Sequence, residues 1–245
     1  MRRILCYGDS NTWGYIPASG ARYEPDVRWT GVAQRLLGSD YTLIEEGMNG
    51  RTTVYENPLS PGRNGMEYLL ACLVSQKPLD MAVVMLGTND LRWTDGYGAA
   101  DGARRLVRQI RLYSHLEESS PIFVNGPKVL LVAPILAHES INERDVVERR
   151  YAFPQKSRDF ARAYEAVARE LGVDFLDAAL YAKPSAKDGL HMEPEDHRAL
   201  GEAIYFFHAK DTRIDEINTK TNGVLDTKHY ADEIHRSWIF RSVGY

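Results

Sequence analysis

Five short apolar runs set the possibilities for this chain, because each one stops at a polar loop and is followed by a stretch with helical spacing. The runs are Ile4 to Tyr7, Tyr41 to Ile44, Leu79 to Leu86, Lys128 to Ala133 and Val173 to Leu176. The third is apolar enough to be a strand buried on both faces. Between the runs, apolar residues recur at helical intervals. Trp29, Val32, Leu36 and Leu37 mark one such face, within a helix expected from about Asp26 and stopped by Gly38. Further helices are expected near Asn64 to Gln76, Ala99 to Leu116 (with Leu106, Ile110 and Tyr113 on one face), Pro154 to Leu171, and from Pro194 onward. Strands alternating with helices require an α/β fold with a parallel sheet covered on both sides. Five strands of this length predict a flavodoxin-like, doubly wound arrangement with the first strand near the centre.

The loops that end the first three runs share a character. Gly8-Asp9-Ser10, Asn49-Gly50-Arg51-Thr52 and Gly87-Thr88-Asn89-Asp90 are all polar and glycine-containing. In a parallel sheet these strand ends lie on one edge, where open α/β sheets place their ligand sites. Taken singly, each has a structural explanation, since Gly and Asn supply turns while Asp and Ser cap helices. A glycine at position 8 is expected to turn the backbone sharply and present Ser10 at the strand end. Ser10 is therefore either an N-cap or a nucleophile. After the fifth run come Asp188-Gly189-Leu190-His191.

Acyl transfer needs a hydroxyl, a base, a carboxylate to orient the base, and donors aimed at the developing oxyanion. Ser10 offers the hydroxyl and His191 the imidazole, a group that ordinarily titrates near neutrality. Asp188 lies close enough along a turn to hold one tautomer of that ring. The N–H groups of Ser10 and Gly50 and the side-chain amide of Asn89 are the candidate oxyanion donors. Gly50, lacking a side chain, lets backbone approach substrate closely. Trp13, Tyr15, Trp93 and His138 are the candidate walls of a substrate pocket, with ordinary loop packing as the alternative. Arg51 reads as a residue that fixes the second loop.

These blocks, Gly8-Asp9-Ser10, Gly50, Gly87-Thr88-Asn89-Asp90 and Asp188-Gly189-Leu190-His191, resemble those of the SGNH hydrolases, also called the GDSL esterase/lipase family. The likeness is greatest to the arylesterase/acyltransferase branch. It extends to Arg3 through Tyr7, Pro25-Asp26-Val27-Arg28-Trp29-Thr30-Gly31, Glu45-Glu46-Gly47, Arg51-Thr52-Thr53 and Met85-Leu86. The resemblance implies the SGNH hydrolase fold, a three-layer α/β/α domain over about residues 1–208. It also implies a nucleophile at Ser10 and an oxyanion hole of Ser10, Gly50 and Asn89, completed by the Asp188/His191 pair. Short acyl esters are the implied substrates, hydrolysed through an acyl-serine or passed to alcohols by enzymes that are often homo-oligomers. An acetylesterase of carbohydrate or other natural products, and a non-catalytic binding relative, are the alternatives. Asn11 departs from the pattern, which has leucine after the nucleophile.

A net charge of −4 gives no reason to expect a nucleic acid or an anionic membrane as partner. Metal is not expected either: His197, with Asp188, Glu193 and Asp196, lacks the spacing of a zinc motif. No cofactor motif, Walker A or GxGxxG, is present. The apolar stretch before Gly8 is too short for a signal peptide, and Cys6 and Cys72 read as buried thiols, so the cytoplasm is the expected compartment. From 209 to 245 the alternation is lost. That extension carries Tyr230, Trp238, Ile239, Phe240 and Tyr245, an aromatic content expected to pack on the domain or on another subunit.

Overall fold

The computed structural model describes residues 1–58, 60–114, 121–143 and 152–221. Its five strands are β1 (Arg2–Gly8), β2 (Tyr41–Gly47), β3 (Leu79–Met85), β4 (Phe123–Ala133) and β5 (Asp174–Asp177). All neighbours pair in parallel, in the order β2-β1-β3-β4-β5. This is the expected doubly wound arrangement, with β1 inside the sheet. The helices are α1 (Ser10–Trp13), α2 (Trp29–Leu37), α3 (Gly65–Gln76), α4 (Gly96–Tyr113), α5 (Phe153–Ser157), α6 (Phe160–Leu171) and α7 (Pro194–Thr221).

Strand alternation sorts the core into two faces. Leu5, Tyr7, Ala82, Val84, Val129 and Leu131 join Leu69, Leu73, Leu106, Ile110, Phe160 and Tyr164 from α3, α4 and α6 in one cluster. Their neighbours in the strands, Ile4, Cys6, Met81, Val83, Leu130 and Val132, are buried on the opposite face. On that side Trp29, Val32 and Ala33 of α2 are buried as well. Gly201 of α7 fits against them because a Cβ there would lie 2.6 Å from the Trp29 carbonyl oxygen. Asp80 is the polar residue inside the third apolar run, and its carboxylate accepts the Arg3 N–H at 2.7 Å.

Several boundaries differ from the sequence reading. β2 runs on through Glu45 and Glu46 because it is an edge strand, where carboxylates can find partners: Arg28 reaches Glu45 at 2.8 Å and Arg22 at 3.4 Å. β4 starts at Phe123, five residues early, and its pairing with β3 shifts register between Leu79 and Met81. The helix expected over Pro154 to Leu171 is two helices, α5 and α6. Leu36 is 41% exposed and does not belong to the buried face of α2. The charged stretch past Glu143, the expected helix end at Leu116, and the aromatic segment from Tyr230 to Tyr245 lie outside the described residues.

The chain divides into two compact units, Met1–Ala203 and Ile204–Tyr245. The first holds the sheet and everything described below. In the second, the described residues continue α7 as far as Thr221. Among the described residues, no helix is long and apolar enough to cross a membrane. Register does the work of assembly here: Gly8 is paired with both Gly47 and Met85, so β1, β2 and β3 stop level with one another. The loops after them open on one edge.

Candidate active site

The first loop is folded by close packing. Gly8 is extended rather than turned, and a Cβ on it would lie 2.0 Å from Thr12 Oγ1. Glycine is needed there because α1 folds back onto the strand that precedes it. Asp9 then caps α1, its carboxylate accepting the Asn11 N–H at 3.0 Å. The capping role thus falls to Asp9, one residue before the serine considered for it. Ser10 is the first residue of the helix, and its hydroxyl is left free to face another element.

That element is the loop before α7. His191 Nε2 lies 3.0 Å from Ser10 Oγ, and His191 Nδ1 lies 2.8 Å from Asp188 Oδ2. Asp188 is held by donors on every side: Oδ1 accepts the N–H groups of Leu190 and His191, and Oδ2 accepts that of Ala18, all at 3.0 Å. Burial pushes this carboxyl up, but the hydrogen bond and charge of His191, with the backbone N–H groups of His191 and Leu190, more than offset it and lower it to about 2. An ionised carboxylate only accepts, so the ring carries its proton on Nδ1 and turns the Nε2 lone pair toward the serine hydroxyl. The Tyr15 ring stacks on His191 with centroids 4.2 Å apart, closing one face of the imidazole.

The second and third loops are tied together around Arg51. Gly50 takes φ 76°, a conformation that suits glycine, so the loop needs this residue for its path as well as for access. Asn89 donates one amide hydrogen to the Arg51 carbonyl at 3.1 Å, which fixes the plane of an NH₂ group that carries a second donor. The guanidinium of Arg51 is buried, donates to the carbonyls of Gly8 (3.0 Å) and Glu46, and lies 4.3 Å over the Tyr7 ring. One arginine therefore fastens all three strand-end loops, a structural role fulfilled through carbonyls. Asp90 adds a second tie by accepting the Thr53 N–H at 3.1 Å and the Thr53 hydroxyl.

Behind the serine, the two buried carboxyls are hard to ionise. Burial drives Asp9 up to about 6 and Asp90 up to about 7, against the opposing pull of their hydrogen bonds. Asp9 thus folds most favourably when protonated, and the stability it confers is lost as pH rises from about 4 through its folded value. Asp9→Asn keeps an oxygen for the Asn11 N–H. We expect this variant to match the parent at pH 4 and to exceed it by roughly 2–3 kcal/mol at pH 8. Urea denaturation at the two pH values reads the difference, and equal stability at pH 8 would contradict it.

The remaining pocket candidates are placed unevenly. Tyr15 meets His191 directly, and Trp13 leans on Tyr15 at 6.2 Å while holding the Arg22 guanidinium 5.2 Å above its ring. Trp93 stacks on Tyr55 from the second loop, with centroids 6.1 Å apart and planes 9° from parallel. His138 is exposed; its N–H donates to the Gly189 carbonyl at 2.9 Å and its ring pairs with Ser140. It supports the His191 loop through its backbone. His197 is fully buried, accepts the Trp29 N–H on Nδ1 at 3.3 Å, and is pushed down to about 4 by that burial. Residues whose part was not legible beforehand are Asp9 and Asp90, read only as turn and cap residues, and Tyr15 as the partner of the imidazole. The contacts of Asp90 and Tyr15 join distant segments, and the burial of Asp9 depends on segments far from it in the chain.

The model of the GDSL-like lipase/acylhydrolase family matches residues 6–199. An aryl esterase of M. smegmatis is 36% identical, with 85% of this chain and 99% of that one covered and a TM-score of 0.74. A carbohydrate acetylesterase from Sinorhizobium meliloti is 35% identical over 85% of this chain and 99% of its own, with a TM-score of 0.76. Among curated proteins, the uncharacterized protein YfiH of Bacillus subtilis is 43% identical over 47 residues, 19% of this chain; the match spans 15% of that relative's length.

Proposed function

Because the chain belongs to the GDSL-like lipase/acylhydrolase family and is an esterase by that membership, we propose that it hydrolyses short-chain acyl esters through an acyl-serine at Ser10. The observation that carries the reading is the relay of hydrogen bonds from Ser10 through His191 to Asp188. Ser10 Oγ attacks the ester carbonyl carbon as its proton passes to His191 Nε2. The resulting oxyanion takes hydrogen bonds from the N–H groups of Ser10 and Gly50 and from the free amide hydrogen of Asn89. Collapse expels the alcohol, which receives the proton from His191, and leaves the acyl group on Ser10. Water, activated by the same ring, then releases the acid; an alcohol in its place gives a new ester. Asp188 keeps the imidazole oriented and balances its charge throughout.

Asn89→Ala is expected to lower kcat by about 10²–10³ with a smaller change in KM, as removal of one oxyanion donor does. Steady-state hydrolysis of an aryl acetate checks it. Substrate class is tested by comparing turnover of aryl acetates, their longer-chain homologues and acetylated sugars, with and without added alcohol. Faster turnover of decanoate than of acetate would overturn the short-chain reading. A second reading, an acetylesterase of carbohydrate, is favoured by the similarity to the Sinorhizobium enzyme; preference for acetylated sugars over aryl acetates would select it. Free, buried Cys6 and Cys72 support a reducing compartment for this work, and assembly of several copies is part of the same reading.

A further inference from the structure

Asn11, the residue that departs from the family pattern, uses both ends of its side-chain amide on the loop that carries His191. Its Nδ2 donates to the Leu190 carbonyl at 3.1 Å, and its Oδ1 accepts the Met192 N–H at 3.1 Å. Leu190 and Met192 are the two neighbours of His191. A donor to the residue before and an acceptor from the residue after is the pattern that one residue of a parallel strand makes with its partner. The side chain therefore grips the backbone at a single register, with His191 at the centre of the grip. Asn11 is 4% exposed and Met192 is fully buried, so water has little access to take over either bond. At its other end, Asn11 follows Ser10 in α1, and its own N–H is fixed by Asp9.

We propose that Asn11 is the positioning residue that sets the distance between the serine hydroxyl and the imidazole. This rests on the esterase reading of the same site. Asp188 holds the ring and its own loop through bonds that would travel with the loop if it shifted, and it meets the N–H of Ala18, beyond the end of α1. Asn11 ties that loop to the nucleophile's own helix. Leucine at this position can make neither bond, so the loop would lose its direct tie to the helix that carries Ser10, leaving the Ala18 and His138 contacts to hold it.

The test is Asn11→Leu, with Asn11→Ala as the smaller variant that removes both bonds without adding bulk to the buried site. With p-nitrophenyl acetate, kcat should fall about 10–100-fold while KM stays within about threefold, the scale expected when reacting groups are displaced by an ångström or less. In protein labelled with ¹⁵N-histidine, the ring resonances of His191 should broaden or move in the same variants. Unchanged kcat, or reduced kcat with unchanged His191 resonances, would overturn the proposal. If circular dichroism shows that Asn11→Leu fails to fold, Asn11→Ala decides by the same two readouts. If the parent enzyme itself shows no Ser10-dependent turnover, the esterase reading fails, and the His191 resonances still decide whether Asn11 positions the ring.

Discussion

Ser10→Ala is expected to lower kcat on aryl acetates by about 10⁴-fold or more while leaving the fold intact. Among the described residues, the packing does not rest on this hydroxyl. The cap of α1 is Asp9, the backbone of Ser10 makes its bonds regardless of the side chain, and Ser10 Oγ pairs with His191 Nε2. Alanine also has the higher helix propensity at an ordinary helical position. What disappears is the atom that, in the proposed mechanism, forms the bond to the acyl carbon. Residual turnover should come from water attacking a carbonyl still polarised by the oxyanion donors. Circular dichroism and thermal melting check the fold, and a fluorophosphonate should label the parent but not the variant. A Ser10→Ala enzyme that keeps its rate, or a folded parent that resists the fluorophosphonate, would sink the mechanism and favour a binding relative.

Asp188→Asn should cost nearly as much, about 10³–10⁴ in kcat, for a reason visible in the four donors around that carboxylate. Leu190, His191 and Ala18 each offer a backbone N–H, and the imidazole offers Nδ1–H. An amide has one oxygen for these four groups. Its NH₂ must face at least one donor, and the cheapest arrangement keeps the backbone bonds to Leu190 and His191 on the oxygen. The NH₂ then points at Ala18 and at the ring, which must present its Nδ1 lone pair and carry the proton on Nε2. A ring in that tautomer cannot accept from Ser10. The unpaired Ala18 N–H should add a stability loss of about 1–3 kcal/mol. Asp188→Ala separates the two effects, since it removes the tautomer conflict but also the carboxylate. A rate for Asp188→Asn within tenfold of the parent would show that orientation of the imidazole does not come from this residue.

The fold was legible in the chain because its signals are local. A buried strand between two helical periods needs no distant information, and five of them in succession leave few topologies. The site was legible for a different reason: the polar loops follow strand ends, and a parallel sheet brings strand ends together. The failures share a cause too. Glu45 and Glu46 look like the end of a strand until Arg22 and Arg28, far off in sequence, give Glu45 partners at an edge. Gly8 looks like a turn until Thr12 is seen to occupy the space of its side chain. Asn11 is an unexplained polar residue until its partners, 179 and 181 residues onward, are known. Periodicity reports what a residue prefers, and these residues are explained by what they touch.

The hydrogen bond between Ser10 and His191 spans 181 positions of the chain. During synthesis the serine emerges among the first residues, while its base waits until the last strand and the loop beyond it have been made. A ribosome-bound fragment or a protein truncated within the sheet can hold the nucleophile but never the pair. Hydrolysis of a chromogenic ester therefore reports, in one reading, that the two ends of the domain have found each other. In the proposed mechanism the site is its own folding sensor, and a screen for activity in cell lysates selects for chains made and folded through His191 as strictly as for chemistry.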